Sequence, residues 1–418
     1  MRLNSSACAA AVDYSSRAAE LESPHVLTLT PFFPSLENEV GGCFIKEPLD
    51  ALTAMGVPSS VIAVSPIYKR VPHVSPEAAA GWVRYPQIPG TIGLSSAGKV
   101  LYACLLRPVT ELHRKRPIDV IHAHAALPCG QAAALLARRL KIPYVVTVHG
   151  LDVFNTCFRA GATAEWRRRA SVRVYQGASA VICVSRKVQQ ILHDEMPDVR
   201  SAVVYNGTDA ELFSPPLPAL RQISSLANDL QQEILVVGNL IPSKGQGLVL
   251  RAIHRLSENF PQLQCRIIGE GADRARLETL ATTIGIRQRI HFMGRRTRAA
   301  VADAMRNCTV FVLPSRSEGL GCVYLEAMAC AKPVIACRGQ GIEEIIEHQK
   351  NGWLISPDNL NDLSQALSTL LGSPESSSRL GQAARQTILN GLTLAHQAHN
   401  LATLYRQVAV LRAADRAL

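Results

Sequence analysis

The chain has 418 residues, 47% of them hydrophobic and 18% charged, with a formal net charge of +11. That length accommodates two domains of ordinary size, and the balance of residues excludes an intrinsically disordered chain. The basic excess is spread over both halves and favours anionic partners, but no helix-turn-helix, zinc-finger or RNA-binding aromatic signature accompanies it, which argues against nucleic acid.

Residues 1–23 are rich in Ser and Ala, and their one apolar stretch, Ala7 to Val12, is interrupted by Asp13. It is too short for a signal-peptide core or a membrane span, so a poorly ordered extension and a cytoplasmic chain are expected. The eleven cysteines show no C-x-x-C and no metal-ligand spacing, as suits a reducing compartment.

From Pro24 onward, short β-rich runs alternate with Ala/Leu-rich segments. His25 to Thr30 reads as a first strand, followed by a glycine-bearing loop from Pro31 to Gly42 and a helix from Phe44 to Met55. Strands are expected at Val61 to Val64, Val120 to Ala123, Tyr144 to Val148 and Ala180 to Val184, separated by helices such as Gly130 to Leu140. Ser214-Pro215-Pro216-Leu217-Pro218 breaks the pattern. It restarts with strands at Ile234, Cys265, Ile290, Val310 and Pro333. Apolar strands alternating with helices predict an α/β chain of two parallel-sheet domains. The expected bounds are 24–212 and 231–392, with a linker at 213–230 and a closing helix at 393–418. In such sheets ligands bind beyond the carboxyl ends of the strands, here in the gap between the domains.

The strongest motif runs from Pro314 to Met328 and carries Glu318-Gly319-Leu320-Gly321 and Glu326. A strand ends at Leu313 and a helix starts near Gly321. Glycines at that junction let a ligand approach the backbone, and the free amides with the helix dipole favour an anion such as a diphosphate. Glu318 and Glu326 are candidate acceptors for hydroxyls on either side of it. Lys244, in Val237-Gly238-Asn239-Leu240-Ile241-Pro242-Ser243-Lys244-Gly245, offers a compact positive charge after another strand. His149, in Thr147-Val148-His149-Gly150-Leu151-Asp152, follows a strand of the first domain.

These motifs resemble the family-4 retaining glycosyltransferases of GT-B architecture, whose signature is E-x7-E. The resemblance spans roughly residues 24–415 and implies two Rossmann-like domains facing a cleft, with the last helix crossing back to the first domain. It implies that Lys244 and Glu318 hold the reacting part of a nucleotide diphospho-sugar, and that His149 holds a sugar hydroxyl such as O6. By the same resemblance Gly41, Gly42, Asn239, Gly269, Arg295, Gly319, Leu320, Gly321 and Glu326 contact the donor. Many relatives carry Arg where this chain has Asn239, so one charge is missing, although Asn there is shared by the capsular and teichuronic-acid-like branch. A UDP-sugar is the expected donor, with GDP-mannose as the alternative, and a glycan or lipid-linked glycan the acceptor. No cofactor and no metal are expected. The clusters Arg114-Lys115-Arg116, Arg167-Arg168-Arg169 and Arg295-Arg296 read either as solvated helix faces or as a dock on the anionic inner face of the plasma membrane. The competing readings are a hydrolysing sugar-nucleotide 2-epimerase of the same architecture and an inactive transferase-like subunit.

Overall fold

The computed structural model describes residues 23–35, 38–69, 80–90, 93–150, 163–216 and 232–417, with side chains at 80 and 411–417 excepted. The expected terminal extension up to residue 22, Asp152 of the His149 motif and most of the expected linker lie outside the described residues.

Two all-parallel sheets organise the chain. The first has seven strands in the order β3-β2-β1-β4-β5-β6-β7: Val26–Thr30 (β1), Ser59–Pro66 (β2), Ala80–Tyr85 (β3), Val120–His124 (β4), Tyr144–Val148 (β5), Ala180–Cys183 (β6) and Ser201–Val203 (β7). The second has six strands in the order β10-β9-β8-β11-β12-β13: Glu233–Val237 (β8), Gln264–Ile268 (β9), Ile290–Gly294 (β10), Val310–Leu313 (β11), Val334–Cys337 (β12) and Trp353–Ile355 (β13). The central strands are buried along their length; all five residues of each of β1, β4 and β5 are buried. Helices cover both faces of such sheets, which is why even the polar members of these strands, Thr28, Thr30, His122, His124 and Thr147, are buried.

Both sheets reverse their strand order beside their first strand, between β1 and β4 and between β8 and β11. A crevice opens outside the carboxyl ends at each reversal. The loops after β1, β4, β5, β8, β10 and β11 therefore converge on the space between the sheets.

The closing helix, Leu394–Ala417, belongs in space to the first domain. Its Leu401, Leu404, Tyr405 and Val408 are buried in one cluster with Val26, Ile45, Leu49 and Leu52, the last three from the helix Cys43–Ala54 (α1). Fully burying an aliphatic side chain of this size contributes about 1.5–3 kcal/mol, enough to hold the crossover in place. At its start the two domain connections are pinned together. Thr208 N–H donates to Leu392 O at 2.9 Å, Leu394 N–H donates to Thr208 O at 3.1 Å, and Gly207 N–H donates to the Gln397 side chain at 2.7 Å.

Candidate active site

A cleft of about 600 Å³ lies between the two sheets. Gly41, Gly42 and His149 line it from the first domain, and Asn239, Arg295, Glu318, Gly319, Leu320 and Gly321 from the second. Lys244 and Glu326 line an adjoining pocket of about 300 Å³, which shares Asn239, Glu318 and Gly321 with the cleft. Eleven of the twelve residues singled out from sequence thus meet in one place. Gly269 is not among the lining residues; it packs against the Gly238 backbone at the ends of β8 and β9.

The anion-binding corner is built by the turn after β11. Gly321 takes φ +85°, a conformation L side chains rarely adopt, and caps the helix Cys322–Ala329 (α9) without any side-chain hydrogen bond. The first-turn amides of α9, which has no acidic residue of its own in that turn, carry the partial positive charge of the helix start. Across the pocket, Lys244 follows β8 through a short turn, Pro242–Lys244. Its ammonium is ion-paired with Glu318, and each of these side chains is only 12% exposed. Glu318 is held in turn by its own backbone N–H, which donates to the Gln340 side chain at 3.0 Å. Arg295 stands at the mouth, half exposed and 3.9 Å from Glu270. Glu326, one helical turn into α9, is 4% exposed and paired with Arg298, a residue the motifs did not flag. The signal was faint: Arg298 is the first residue of the helix Arg298–Asn307 (α8) behind a Thr297 cap, and its partner Glu47 lies in another domain.

The first domain contributes a stack of imidazoles. His149 rests edge-on against Phe44, with ring centroids 5.0 Å apart, and its Nε2 is 3.0 Å from His124 Nδ1. The two rings stack at 5.2 Å. Behind them His122 Nε2 meets the Thr147 hydroxyl at 2.6 Å, and its Nδ1 meets the Tyr405 hydroxyl at 2.7 Å. Burial pushes His149 down to about 4 and His122 to about 3, and holds His124 well below the ordinary imidazole range. A neutral His149 suits a hydrogen-bonding role toward a hydroxyl better than proton abstraction. His124 therefore has a defined place: it orients His149.

The two domains touch at the site itself. A Cβ on Gly319 would come within 2.6 Å of the His149 carbonyl oxygen, and the Ser185 hydroxyl donates to Gly319 O at 2.6 Å. Glu344 of the second domain accepts from the backbone N–H groups of Arg186 and Lys187 at 2.8 and 2.6 Å, at the start of the first-domain helix Arg186–Glu195 (α5).

Comparison with known proteins identifies the family and the fold. Residues 44–212 match the family described as Glycosyltransferase Family 4, and residues 221–387 match Glycosyl transferases group 1. An uncharacterized glycosyltransferase of Methanocaldococcus jannaschii is 32% identical over 268 residues, covering 63% of this chain and 69% of that protein. The chain belongs to the family-4 glycosyltransferases. The glycosyltransferase is also 28% identical to the putative teichuronic acid biosynthesis glycosyltransferase TuaC of Bacillus subtilis, over 82% of this chain and 88% of that one. Among solved structures, sucrose-phosphate synthase from Thermosynechococcus elongatus superposes with a TM-score of 0.73 at 22% identity, covering 93% of this chain and all (100%) of that one. Anabaena HepE in complex with UDP-glucose gives a TM-score of 0.68 at 21% identity, covering 90% and 98%. Both show the fold, which is GT-B.

Of the Arg167-Arg168-Arg169 cluster, Arg168 and Arg169 lie on a solvated helix face, as one of the two expected readings has it, and only Arg167 departs from it. Arg167 is 5% exposed and hydrogen-bonded to Thr163, Arg168 pairs with Glu195 and Arg169 with Glu165. Local carboxylates thus pair two of the three charges that the linear sequence shows as a run. Arg114, Lys115 and Arg116 are exposed. Among the described residues, no helix is long and apolar enough to cross a membrane.

Proposed function

We propose that this glycosyltransferase moves a sugar from a nucleotide diphospho-sugar to an acceptor hydroxyl with retention of anomeric configuration. The observation that carries the reading is the convergence of the Lys244 ammonium and the Gly321-opened start of α9 on one pocket. That pair suits a diphosphate, since preorganised charge and amides aimed at a leaving group stabilise the transition state. In the reaction the bond between the anomeric carbon and the phosphate oxygen breaks. The acceptor oxygen bonds to the same face of that carbon, and the acceptor's proton passes to the departing diphosphate oxygen. Lys244 and the α9 amides offset the charge gained by the diphosphate. Glu318 and Glu326 hold donor hydroxyls, His149 holds a hydroxyl of the transferred sugar, and Arg295 contributes charge at the mouth. No resident metal is invoked, and full turnover in the presence of a chelator is the expected result.

A UDP-sugar is favoured over GDP-mannose, supported by the HepE structure with UDP-glucose. A glycan or lipid-linked glycan acceptor in cell-surface polysaccharide synthesis is supported by the likeness to TuaC. Such an acceptor would place the enzyme at the inner face of the plasma membrane, with the exposed Arg114-Lys115-Arg116 cluster toward anionic headgroups. A thermal-shift screen of nucleotide sugars tests the donor: a ligand at 100 times its Kd stabilises by about 2.7 kcal/mol. Donor consumption in the absence of any acceptor would favour the epimerase reading instead.

A further inference from the structure

Arg298 belongs to none of the motifs that led to the site, yet it joins more of the site than any of them. Its side chain is 14% exposed, and its guanidinium lies over the Phe213 ring at 4.6 Å. Nη1 donates to Glu326, and Nη2 donates to Glu47 Oε2 at 2.9 Å while standing 2.7 Å from its Oε1. Its backbone N–H donates to Glu39 at 3.2 Å. Glu326 is on α9 of the second domain. Glu47 is on α1 of the first, and Glu39 is in the loop leading to it. The guanidinium lines the same 300 Å³ pocket as Lys244, Asn239 and Glu318.

This arrangement leaves Glu326 half used. Its Oε1 is taken by Arg298, whereas its Oε2 accepts no hydrogen bond among the described residues. A carboxylate pinned through one oxygen keeps a single rotamer and offers the other oxygen to a hydroxyl. The planar fork of arginine can hold two carboxylates at fixed angles, which a lysine's point charge cannot.

We propose that Arg298 is a positioning residue for the donor: it aims Glu326 at a hydroxyl of the bound nucleotide sugar and, through Glu47, makes that aim depend on the two domains being together. The inference rests on the donor-pocket reading above. The Arg298–Glu326 pair lies within one domain and survives when the domains part. The bonds to Glu47 and Glu39 cross the boundary and break. The guanidinium then loses one of its two anchors, and Glu326 loses its fixed setting. Donor binding and closure are thereby coupled through one side chain.

A double-mutant cycle on the full chain tests this, read by calorimetric binding of UDP-glucose and GDP-mannose and by steady-state kinetics. Arg298→Gln is expected to weaken donor binding at least tenfold and to raise donor KM similarly, with kcat at saturating donor within threefold and Arg298→Lys recovering part of the loss. Glu47→Gln is expected to weaken binding about threefold in the wild-type background and to do nothing further in Arg298→Gln, because the two residues act as one link. Wild-type affinity in a cooperatively melting Arg298→Gln, or simple additivity of the two changes, would overturn the inference while leaving the donor pocket standing. Failure of the wild type to bind either nucleotide sugar would overturn both. If Arg298→Gln does not fold, the charge-balanced Arg298→Gln/Glu47→Gln variant carries the same test: a tenfold loss supports the link and wild-type affinity refutes it.

Discussion

Lys244 and Glu318, 74 residues apart in the chain, form an ion pair on the wall of the interdomain cleft with both side chains 12% exposed. The pair keeps each charge satisfied until a ligand arrives. On the proposed function, a diphosphate would compete for the ammonium and a sugar hydroxyl would then meet the released carboxylate. Lys244→Ala removes that exchange and leaves Glu318 without its counter-charge. The expected loss in kcat/KM is about 10²–10³-fold, the scale set by deleting one charge-stabilising donor. Steady-state kinetics over a range of donor concentrations checks it, and a variant with unchanged kcat/KM would place the diphosphate elsewhere.

At Gly319 the two domains are in contact beside the site. A methyl group there would stand 2.6 Å from the His149 carbonyl oxygen and 3.3 Å from Gly150 Cα. Gly319→Ala should therefore hold the domains slightly apart while each keeps its own core. Misplacement of about 1 Å can cost on the order of 100-fold in rate. The expectation is a fall of tenfold or more in kcat/KM with a melting temperature within a few degrees of the wild type. A large drop in melting temperature with normal activity would contradict it.

The carboxylate of Glu344 caps a helix in the other domain. It takes the Arg186 and Lys187 amides, while Ser185 Oγ takes the Val188 amide at 3.2 Å and the Tyr205 hydroxyl donates to Glu344 at 2.8 Å. An anion at a helix start is worth about 0.3–1 kcal/mol when solvent-exposed, and Glu344 is exposed. Glu344→Gln should lower stability by roughly that amount and weaken donor binding by favouring the parted domains. Urea unfolding and donor titration read the two effects separately.

The imidazole stack makes stability depend on pH. His122, His124 and His149 are all held below the ordinary value of 6.5 by burial. Below pH 6.5 the unfolded chain thus binds more protons than the folded one, and stability present above that pH is lost as pH falls toward the folded values. Between pH 7.5 and 5.5 each neutral histidine costs about 1.4 kcal/mol. Chemical unfolding at the two pH values measures the sum, and NMR titration should find the three rings still neutral at pH 5.5.

Strands β1, β4, β5, β8 and β11 were legible because each is a short run dominated by apolar and β-branched residues. The outer strands were not: β3 carries Gly81 and Arg84, while β7 and β13 have three residues each, too few to show a period. Lys244, Glu318, Gly321 and His149 were legible because each sits just past a recognisable strand, and parallel sheets bring such positions together. Gly269 also sits past a strand, but its missing side chain is used for backbone packing.

By itself the sequence determined the architecture and the family, because buried parallel strands and the glycine-opened helix start are written in contiguous residues. Only the tertiary structure decided which charges are available. Arg167, Arg168 and Arg169 are spent on local partners. Arg298, an unremarkable helix-start arginine in the linear chain, gathers Glu47 and Glu326 from two domains. The strength of an ion pair depends on distance and on exclusion of water, and folding sets both between residues far apart in the chain.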